Sequence, residues 1–152
     1  MKQNSEYNVR VVWDKKLGCD AYIRDVSPIS VSMPVVHGGD GVNACPIELV
    51  VSALGSCLLG TFLVFQRQVR LQVKDIQISA KGNVEMATQG KYEGKYDISG
   101  IEVFINIKVE GDEFEAEVAS DCLRLTKEHC PVTRTLEKAI PIKIESKIET
   151  TR

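Results

Sequence analysis

The apolar residues of this chain are most concentrated in one stretch, Pro46–Phe65, which reads PIELVVSALGSCLLGTFLVF. A helix on the surface of a protein needs only one apolar stripe, whereas this stretch is apolar on almost every side. The pattern therefore predicts a central helix that is covered on all sides. Cys57 lies at its middle, so its thiol is either an inert part of the core or a protected reaction centre.

Small residues recur every four positions along the same stretch, at Ser52, Ser56 and Gly60. Positions four apart lie above one another on a helix, so these residues form a ridge that another backbone could approach closely. We expect the central helix to pack against its own copy or against another long helix.

Before this helix, the chain shows the period-two alternation that is typical of half-buried strands. The turn-favouring pair Ser27-Pro28 separates the second and third strands. These patterns predict an N-terminal antiparallel meander, with strands at Tyr7–Trp13, Ala21–Val26 and Ile29–Val35. The glycine-containing segment His37–Cys45 lacks the Lys-Ser/Thr ending of a phosphate-binding loop, so it is interpreted as a plain connection.

After the helix, which should end near Arg70, the pattern predicts a strand at Leu71–Ile78, a weakly paired polar hairpin at Gly82–Tyr96 and a strand at Ile101–Val109. A second helix should run from Gly111-Asp112 to about Lys127. We expect one face of this helix to carry Phe114, Val118, Cys122 and Leu125.

The chain should end in a third, short helix from His129-Cys130-Pro131 to Lys138 and a strand at Ile140–Ile144. The order of elements predicts an α+β fold of antiparallel sheets around the central helix, because strands come first, followed by a helix, more strands, two helices and a last strand. The length of 152 residues predicts a single domain, residues 1–152.

The charge balance narrows the possible partners. A net charge of -2 and a pI near 5.7 give no reason to expect binding to nucleic acid or to an anionic membrane, and a small neutral or apolar substrate fits better. The start of the sequence, MKQNSEYNVR, has no apolar signal segment, so we expect a cytosolic protein. Ile47–Phe65 is long enough to cross a bilayer, but polar and small residues interrupt it and strand patterns flank it, which favours a core helix.

The five cysteines are odd in number and have no repeated spacing, which favours free thiols over a secreted disulfide framework. Cys45 and Cys130 each precede a proline that begins a helix, where unpaired N–H groups can lower a thiol pKa. Cys57 should instead have a raised pKa because its surroundings are apolar, unless the fold delivers a cation. Arg134, on the same short helix as Cys130, is one such cation if that helix docks over Cys57.

Other chemistries fit the residues less well. Cys122, His129 and Cys130 lack the paired spacing of structural zinc sites, so no metal is expected. A cysteine hydrolase would need a histidine beside its nucleophile, and His37 and His129 are the two histidines of the sequence. That alternative stays open, as does a protein that binds or senses without turnover.

The motif PIELVVSALGSC, which ends at Cys57, is followed much later in the chain by CPVTRTL, which begins at Cys130. This pair of motifs resembles the OsmC-like family of osmotically inducible and organic hydroperoxide resistance proteins. The resemblance implies an intertwined homodimer and a peroxidase without metal or organic cofactor. In this scheme Cys57 attacks a small apolar hydroperoxide and becomes a sulfenic acid, Cys130 condenses with it to a disulfide, and an external dithiol, typically of the lipoyl type, restores both thiols.

The apolar side chains around Cys57 would favour hydroperoxides with apolar tails over hydrogen peroxide. We expect this wall to consist of Val50, Val51, Leu54, Leu58, Phe62 and Phe65.

Two features depart from the family pattern. Enzymes of the better-understood branches of the family carry glutamate directly after the proline, where this chain has Ile47, and Glu48 follows one position later. Nine residues on an ideal helix place Glu48 half a turn out of phase with Cys57 and about 13 Å away along the axis, so Glu48 is either catalytic or only an acid that begins the helix. The family's activating arginine comes from the N-terminal strands, where Arg24 is the nearest match; its rivals are Arg10, Lys15 and Lys16.

Overall fold

The computed structural model describes residues 5–151 and contains six strands, three α-helices and one short 3-10 helix. Residues 1–4 and 152, which the single-domain prediction includes, lie outside the described residues. The elements are β1 Val9–Trp13, β2 Gly18–Ile23, β3 Ile29–Ser32, the 3-10 helix Val35–His37, α1 Pro46–Val69, β4 Val73–Met86, β5 Tyr96–Glu110, α2 Glu113–His129, α3 Pro131–Leu136 and β6 Ile142–Thr151.

The described residues divide into two compact units, the first ending at Leu49 and the second beginning at Val50. The first contains a three-stranded antiparallel sheet in the order β1-β2-β3, as the alternation predicted. The strand β2 begins earlier than expected because the carboxylate of Asp14 accepts hydrogen bonds from the N–H groups of Lys16, at 2.7 Å, and Gly18, at 3.2 Å, and so turns the chain tightly. Apolar side chains of this unit are exposed, among them Val9, Val11, Trp13, Val36 and Val42.

The second unit is built on the sheet β4-β5-β6. Its central strand, β5, buries alternate residues as predicted, namely Ile101, Val103, Ile105, Ile107 and Val109. Helix α2 packs on β5 and β6. The α+β fold class is confirmed.

Two predictions about this sheet are wrong. The segment Gly82–Tyr96 forms a hairpin as predicted, but its pairing is not weak, because β4 and β5 stay paired from Gly82↔Ile101 to Met86↔Tyr96, with a bulge at Asn83/Val84. Backbone hydrogen bonds satisfy this ladder whatever the side chains. The sheet is also not wholly antiparallel, since β6 runs parallel to β5. The helices α2 and α3 form the long crossover that a parallel return requires.

Local interactions explain where helix α1 begins and ends. Pro46 occupies the first helical position, and the carboxylate of Glu48 accepts a hydrogen bond of 2.7 Å from the N–H of Cys45, as in one half of a capping box. The helix ends as Arg70 adopts a left-handed backbone, with φ 58, and Leu71 N–H bonds back to the carbonyl of Gln66.

Within this chain, the described residues cover α1 on one side only. Its buried stripe consists of Val51, Leu54, Leu58 and Phe62, and 17% of the most apolar window within Pro46–Gln68 is buried. The opposite face exposes the ridge of small residues, Ser52, Ser56 and Gly60. No helix among residues 5–151 covers this ridge, so a neighbouring helix stays a prediction. By length and composition alone, α1 could also cross a membrane. The cytosolic location stays a prediction.

Helix α2 is fixed at its start by a full capping box. The N–H of Phe114 donates to the Asp112 carboxylate at 2.9 Å, and the N–H of Asp112 donates to Glu115 at 3.0 Å. The predicted apolar face of α2 is not buried along its whole length, since the side chain of Phe114 is 67% exposed. At 100° per residue it is rotated about 140° away from Ala119, where the buried stripe of Ala119, Cys122, Leu123 and Thr126 begins.

Candidate functional site

Cys57 lies on the flank of the buried stripe of α1. Its side chain is half-buried, between the fully buried Leu54 and Leu58 on one side and the exposed small-residue ridge on the other. Residues spaced four apart along this flank, Cys57, Thr61 and Phe65, are all half-buried. The flank is turned toward the junction of α2 and α3, where the ring of Phe65 meets the ring of His129 edge-on with centroids 5.4 Å apart.

Cys130 is the residue at which the chain changes direction between α2 and α3. Its N–H donates to the carbonyl of Thr126 at 2.9 Å, which closes α2, and its carbonyl accepts from Arg134 N–H at 3.0 Å, which opens α3. The backbone between these bonds is extended, with φ -63 and ψ 113, because Pro131 follows and disfavours a helical residue before it. The thiol is 0% exposed and does not cap α3.

The fold brings Cys57 and Cys130 together although they are far apart in the sequence. Both cysteines are free thiols, and Cys130 is close enough to raise the pKa of Cys57. The backbone N–H of Val132 and the hydroxyl of Thr61 also act on the pKa of Cys57. The start of α3 therefore lies near the middle of α1.

Burial and the neighbouring groups shift the pKa of the Cys57 thiol in opposite directions. Burial raises its pKa above the ordinary value because it disfavours the thiolate, and this is the largest effect. The N–H of Val132 lowers the pKa, the neighbouring Cys130 raises it, and Thr61 lowers it slightly. The net direction is upward, as the apolar sequence around Cys57 predicted.

The raised pKa has a measurable consequence. Because the thiolate is the form that reacts with alkylating agents and it accumulates only as the pH approaches the pKa, we expect alkylation of Cys57 in Arg24→Ala, which lacks the predicted activating cation, to keep accelerating with pH beyond the midpoint of an ordinary cysteine peptide. The measurement is the rate at which iodoacetamide modifies the Cys57 peptide against pH by mass spectrometry, with an unstructured cysteine peptide in the same tube. A midpoint below that of the peptide in this variant would show that another cation reaches Cys57.

Arg134 does not supply that cation within the protomer. Its side chain is exposed on α3, and it is not among the groups that shift the pKa of Cys57. The predicted convergence of two thiols and this guanidinium is therefore met only for the thiols.

The candidate cations Arg24, Arg10 and Lys15 all lie in the N-terminal unit, in or next to the strands β1 and β2. Arg24 follows β2 in a left-handed backbone conformation, with φ 51, where the chain turns toward β3. Two of its rivals are engaged with aromatic rings: Arg10 lies 4.3 Å from the ring centre of Tyr22, and Lys15 lies 4.8 Å from that of Trp13. Arg24 stays the predicted activating residue.

Glu48 has a structural task in the protein, since its carboxylate holds the N–H of Cys45 at the start of α1. The helix runs without a break from Pro46 to Val69, so the phase argument against contact with Cys57 of the same chain applies. Of the two alternatives for Glu48, this contact supports the acid that begins the helix.

The contacts of the histidines give no support to a hydrolase. His129 is exposed and packs on Phe65, and His37 lies in the 3-10 helix of the N-terminal unit. Neither is among the groups that act on Cys57. Within residues 5–151, Cys122, His129 and Cys130 do not form a group that could hold a metal ion.

Sequence reasoning missed two members of the site, the backbone N–H of Val132 and the hydroxyl of Thr61. Thr61 could have been found from its spacing of four from Cys57. Val132 could not, since the docking of α3 on α1 is a tertiary feature. The predicted apolar wall is also only partly accessible, because Val51, Leu54, Leu58 and Phe62 are core residues and Val50 and Phe65 alone are not buried.

Residues 38–145 match the sequence model of the OsmC-like protein family. No curated protein sequence matches the chain. Forty solved chains do match it in structure.

Three solved structures illustrate the similarity. An OsmC-like protein from Mycoplasma pneumoniae has a TM-score of 0.75 at 16% identity, covering 99% of this chain and 100% of its own. An OsmC-like protein of unknown function from Vibrio cholerae has a TM-score of 0.76 at 19% identity, covering 95% and 99%. An organic hydroperoxide resistance protein from Elizabethkingia anophelis, with thiocyanate bound, has a TM-score of 0.71 at 15% identity, covering 99% and 100%. Because the family match spans more than half of the residues, the chain belongs to the OsmC-like protein family.

Proposed function

We propose that this protein is a thiol-dependent peroxidase that reduces organic hydroperoxides, with Cys57 as the attacking thiol and Cys130 as the resolving thiol. One observation carries the proposal: two free thiols from distant parts of the sequence lie close enough for one to act on the pKa of the other, where α3 approaches α1. The name of the Elizabethkingia relative, an organic hydroperoxide resistance protein, supports the same chemistry.

The reaction has three balanced steps. The sulfur of Cys57 attacks the distal oxygen of the hydroperoxide, the O–O bond breaks, and an alcohol leaves as Cys57 becomes a sulfenic acid. The sulfur of Cys130 then attacks the sulfur of Cys57, the S–O bond breaks, and water leaves as the disulfide forms. An external dithiol reduces this disulfide and is itself oxidised to a disulfide, which restores both thiols. No metal or organic cofactor takes part.

The difference in exposure between the two thiols fits this order of events. Cys57 is half-buried, so a hydroperoxide can reach it. Cys130 is fully buried, so it reacts with the sulfenic acid of Cys57 and not directly with the hydroperoxide. Quick capture by a neighbouring thiol protects a sulfenic acid from further, irreversible oxidation.

The choice of an apolar hydroperoxide rests on apolar side chains about two helical turns from Cys57 on the same flank of α1. Val50 and Phe65 are the members of the predicted apolar wall that are not buried, and they offer apolar surface to a hydrocarbon tail. The reductant would be a dithiol of the lipoyl class, in a cytosolic setting.

The proposal includes a cation that reaches Cys57, because burial alone would leave the thiol protonated. We assign this task to Arg24, while Glu48 holds the start of α1. We also propose a homodimer, since the small-residue ridge of α1 and the apolar strands of the N-terminal unit are exposed in the protomer and a second copy would cover them.

Steady-state removal of cumene hydroperoxide in the presence of a dithiol tests the proposal. We expect turnover by the wild-type protein, loss of turnover in Cys57→Ser, and retained turnover in Cys19→Ser, which removes a half-buried thiol of the N-terminal unit. Wild-type removal no faster than that of Cys57→Ser would rule out a peroxidase.

A second candidate function is a sensor or binding protein whose cysteines oxidise once without turnover. The upward pKa shift of Cys57 and the presence of Ile47 in place of the family's glutamate favour it. The same assay distinguishes the two, because a sensor would consume at most one equivalent of hydroperoxide however much dithiol is present.

A further inference from the structure

The ring of Phe65 on α1 touches the ring of His129 at the end of α2, directly before Cys130 in the chain. The two ring centres lie 5.4 Å apart and the ring planes meet at 60°. Edge-to-face pairs at this distance attract each other beyond the apolar area that they bury. Neither ring takes part in the proposed chemistry, so a role of this pair lies in how it places other groups.

The direction of the Phe65 side chain brings the contact close to the thiols. Phe65 follows Cys57 by eight residues, which is about 12 Å along the axis of a helix. Side chains of a helix point back toward its N-terminus, so the ring of Phe65 covers the turn that precedes it, on the side of Cys57.

Cys130 moves with the end of α2. Its N–H donates to the carbonyl of Thr126 at 2.9 Å, which continues the hydrogen bonds of that helix, and α2 itself is packed on β5 and β6. Cys57 is carried by a different helix, α1. The pair of rings therefore joins the element that carries one thiol to the element that carries the other.

Cys130 lies between two links to α1. On one side, His129 meets the ring of Phe65. On the other side, the N–H of Val132 acts on the pKa of Cys57. The ring contact is thus the link on the α2 side of Cys130, and Val132 is the link on the α3 side.

We propose that His129 is a positioning residue: through its contact with Phe65, its ring holds the end of α2 on α1 and so keeps the sulfur of Cys130 beside Cys57 while the disulfide forms. This inference rests on the proposed peroxidase function. In that step the sulfur of Cys130 attacks the sulfur of the Cys57 sulfenic acid and the S–S bond forms. The S–O bond breaks, and the departing hydroxyl takes up the proton of the Cys130 thiol and leaves as water.

This step depends on a small separation between the two backbones. A disulfide joins residues whose Cα atoms are usually about 4.4–6.8 Å apart, so a slight displacement of the helix end takes the sulfurs out of reach. Small misplacements of reacting groups cost large factors in rate. Because the His129 side chain is exposed, its loss should change this separation more than it changes the stability of the core.

The test compares His129→Ala, which removes the ring, with His129→Phe, which keeps a ring but has no ring nitrogen. The control is His37→Ala, which removes an exposed histidine from the 3-10 helix of the N-terminal unit. Rapid-quench samples after one equivalent of cumene hydroperoxide give two rates. Consumption of the hydroperoxide reports the oxidation of Cys57, and mass spectrometry reports the formation of the Cys57–Cys130 disulfide.

We expect His129→Ala to consume the hydroperoxide at the wild-type rate but to form the disulfide about fivefold more slowly, in line with the strength of an aromatic pair. His129→Phe and His37→Ala should match the wild-type protein in both rates. Recovery of the rate with phenylalanine would show that the packing of a ring, and not a proton carried by the imidazole, sets the speed of this step.

The coupling to Phe65 is measured without hydroperoxide, since Phe65 also belongs to the apolar surface offered to the substrate. The equilibrium between the Cys57–Cys130 disulfide and glutathione reports how closely the two thiols are held. His129→Ala should make this disulfide about fivefold easier to reduce. In a Phe65→Ala background the same change should have no further effect, because the contact is already lost.

Three results would overturn the inference while leaving the peroxidase function in place. The first is disulfide formation by His129→Ala at the wild-type rate. The second is a slow rate that His129→Phe does not restore, and the third is an equal effect of His129→Ala on the glutathione equilibrium with and without Phe65. Absence of any Cys57 oxidation in the wild-type protein would instead refute the proposed function, and this inference with it.

Discussion

Replacing Cys130 by serine is expected to convert Cys57 from a renewable site into one that is inactivated by its own substrate. The first step needs only Cys57, so an initial equivalent of hydroperoxide should still be reduced. Without a neighbouring thiol, the sulfenic acid then meets further hydroperoxide and advances to sulfinic acid, which the dithiol cannot reduce. Turnover should stop after about one cycle, with two oxygen atoms added to the Cys57 peptide, by mass spectrometry.

Cys122→Ser is the matched control for this variant. Cys122 is also buried, and its pKa is raised mainly by burial, but it lies on α2 away from the helix junction. This variant should keep full turnover. Sustained turnover by Cys130→Ser would show that another thiol resolves the sulfenic acid and would remove Cys130 from the mechanism.

The largest effect on stability is expected for Phe62→Ala. Phe62 is 1% exposed and lies in the buried stripe of α1 with Leu54 and Leu58. Removing a buried aromatic ring forfeits its burial and leaves a cavity, which typically lowers the free energy of unfolding by about 3–5 kcal/mol. The measurement is the urea midpoint of the reduced protein.

Phe114→Ala is the control for Phe62→Ala, since it removes the same side chain from a site that is 67% exposed on α2. Its free energy of unfolding should change by no more than about 0.5 kcal/mol. If both variants lost the same free energy of unfolding, the buried stripe of α1 would contribute no more to stability than an exposed ring does.

The parts of the fold that follow from local pattern could be predicted from the sequence. Strand β5 was predicted because alternate apolar residues mark one buried face, and the start of α1 was predicted from Pro46 and Glu48. The parallel pairing of β6 and the long pairing of β4 were missed, since the direction and extent of a strand pair depend on the crossover and the backbone ladder rather than on side-chain alternation.

In the candidate site, too, some features follow from the local sequence and others only from the folded chain. The raised pKa of Cys57 could be predicted because its apolar neighbours are close in the sequence. The meeting of Cys57 with Cys130 was implied by the family resemblance and could not follow from spacing, since two strands and a helix separate them along the chain. The action of the Val132 N–H on Cys57 depends on the bend at Cys130, which only the folded chain reveals.

The most direct test of a shared redox site is the intact mass of the reduced protein after one equivalent of cumene hydroperoxide, followed by non-reducing peptide digestion. We predict the loss of two hydrogen atoms and a single cross-linked peptide pair containing Cys57 and Cys130. Oxidation that maps to other cysteines, or a Cys57 sulfenic acid that persists with Cys130 still free, would contradict the pairing of these two thiols.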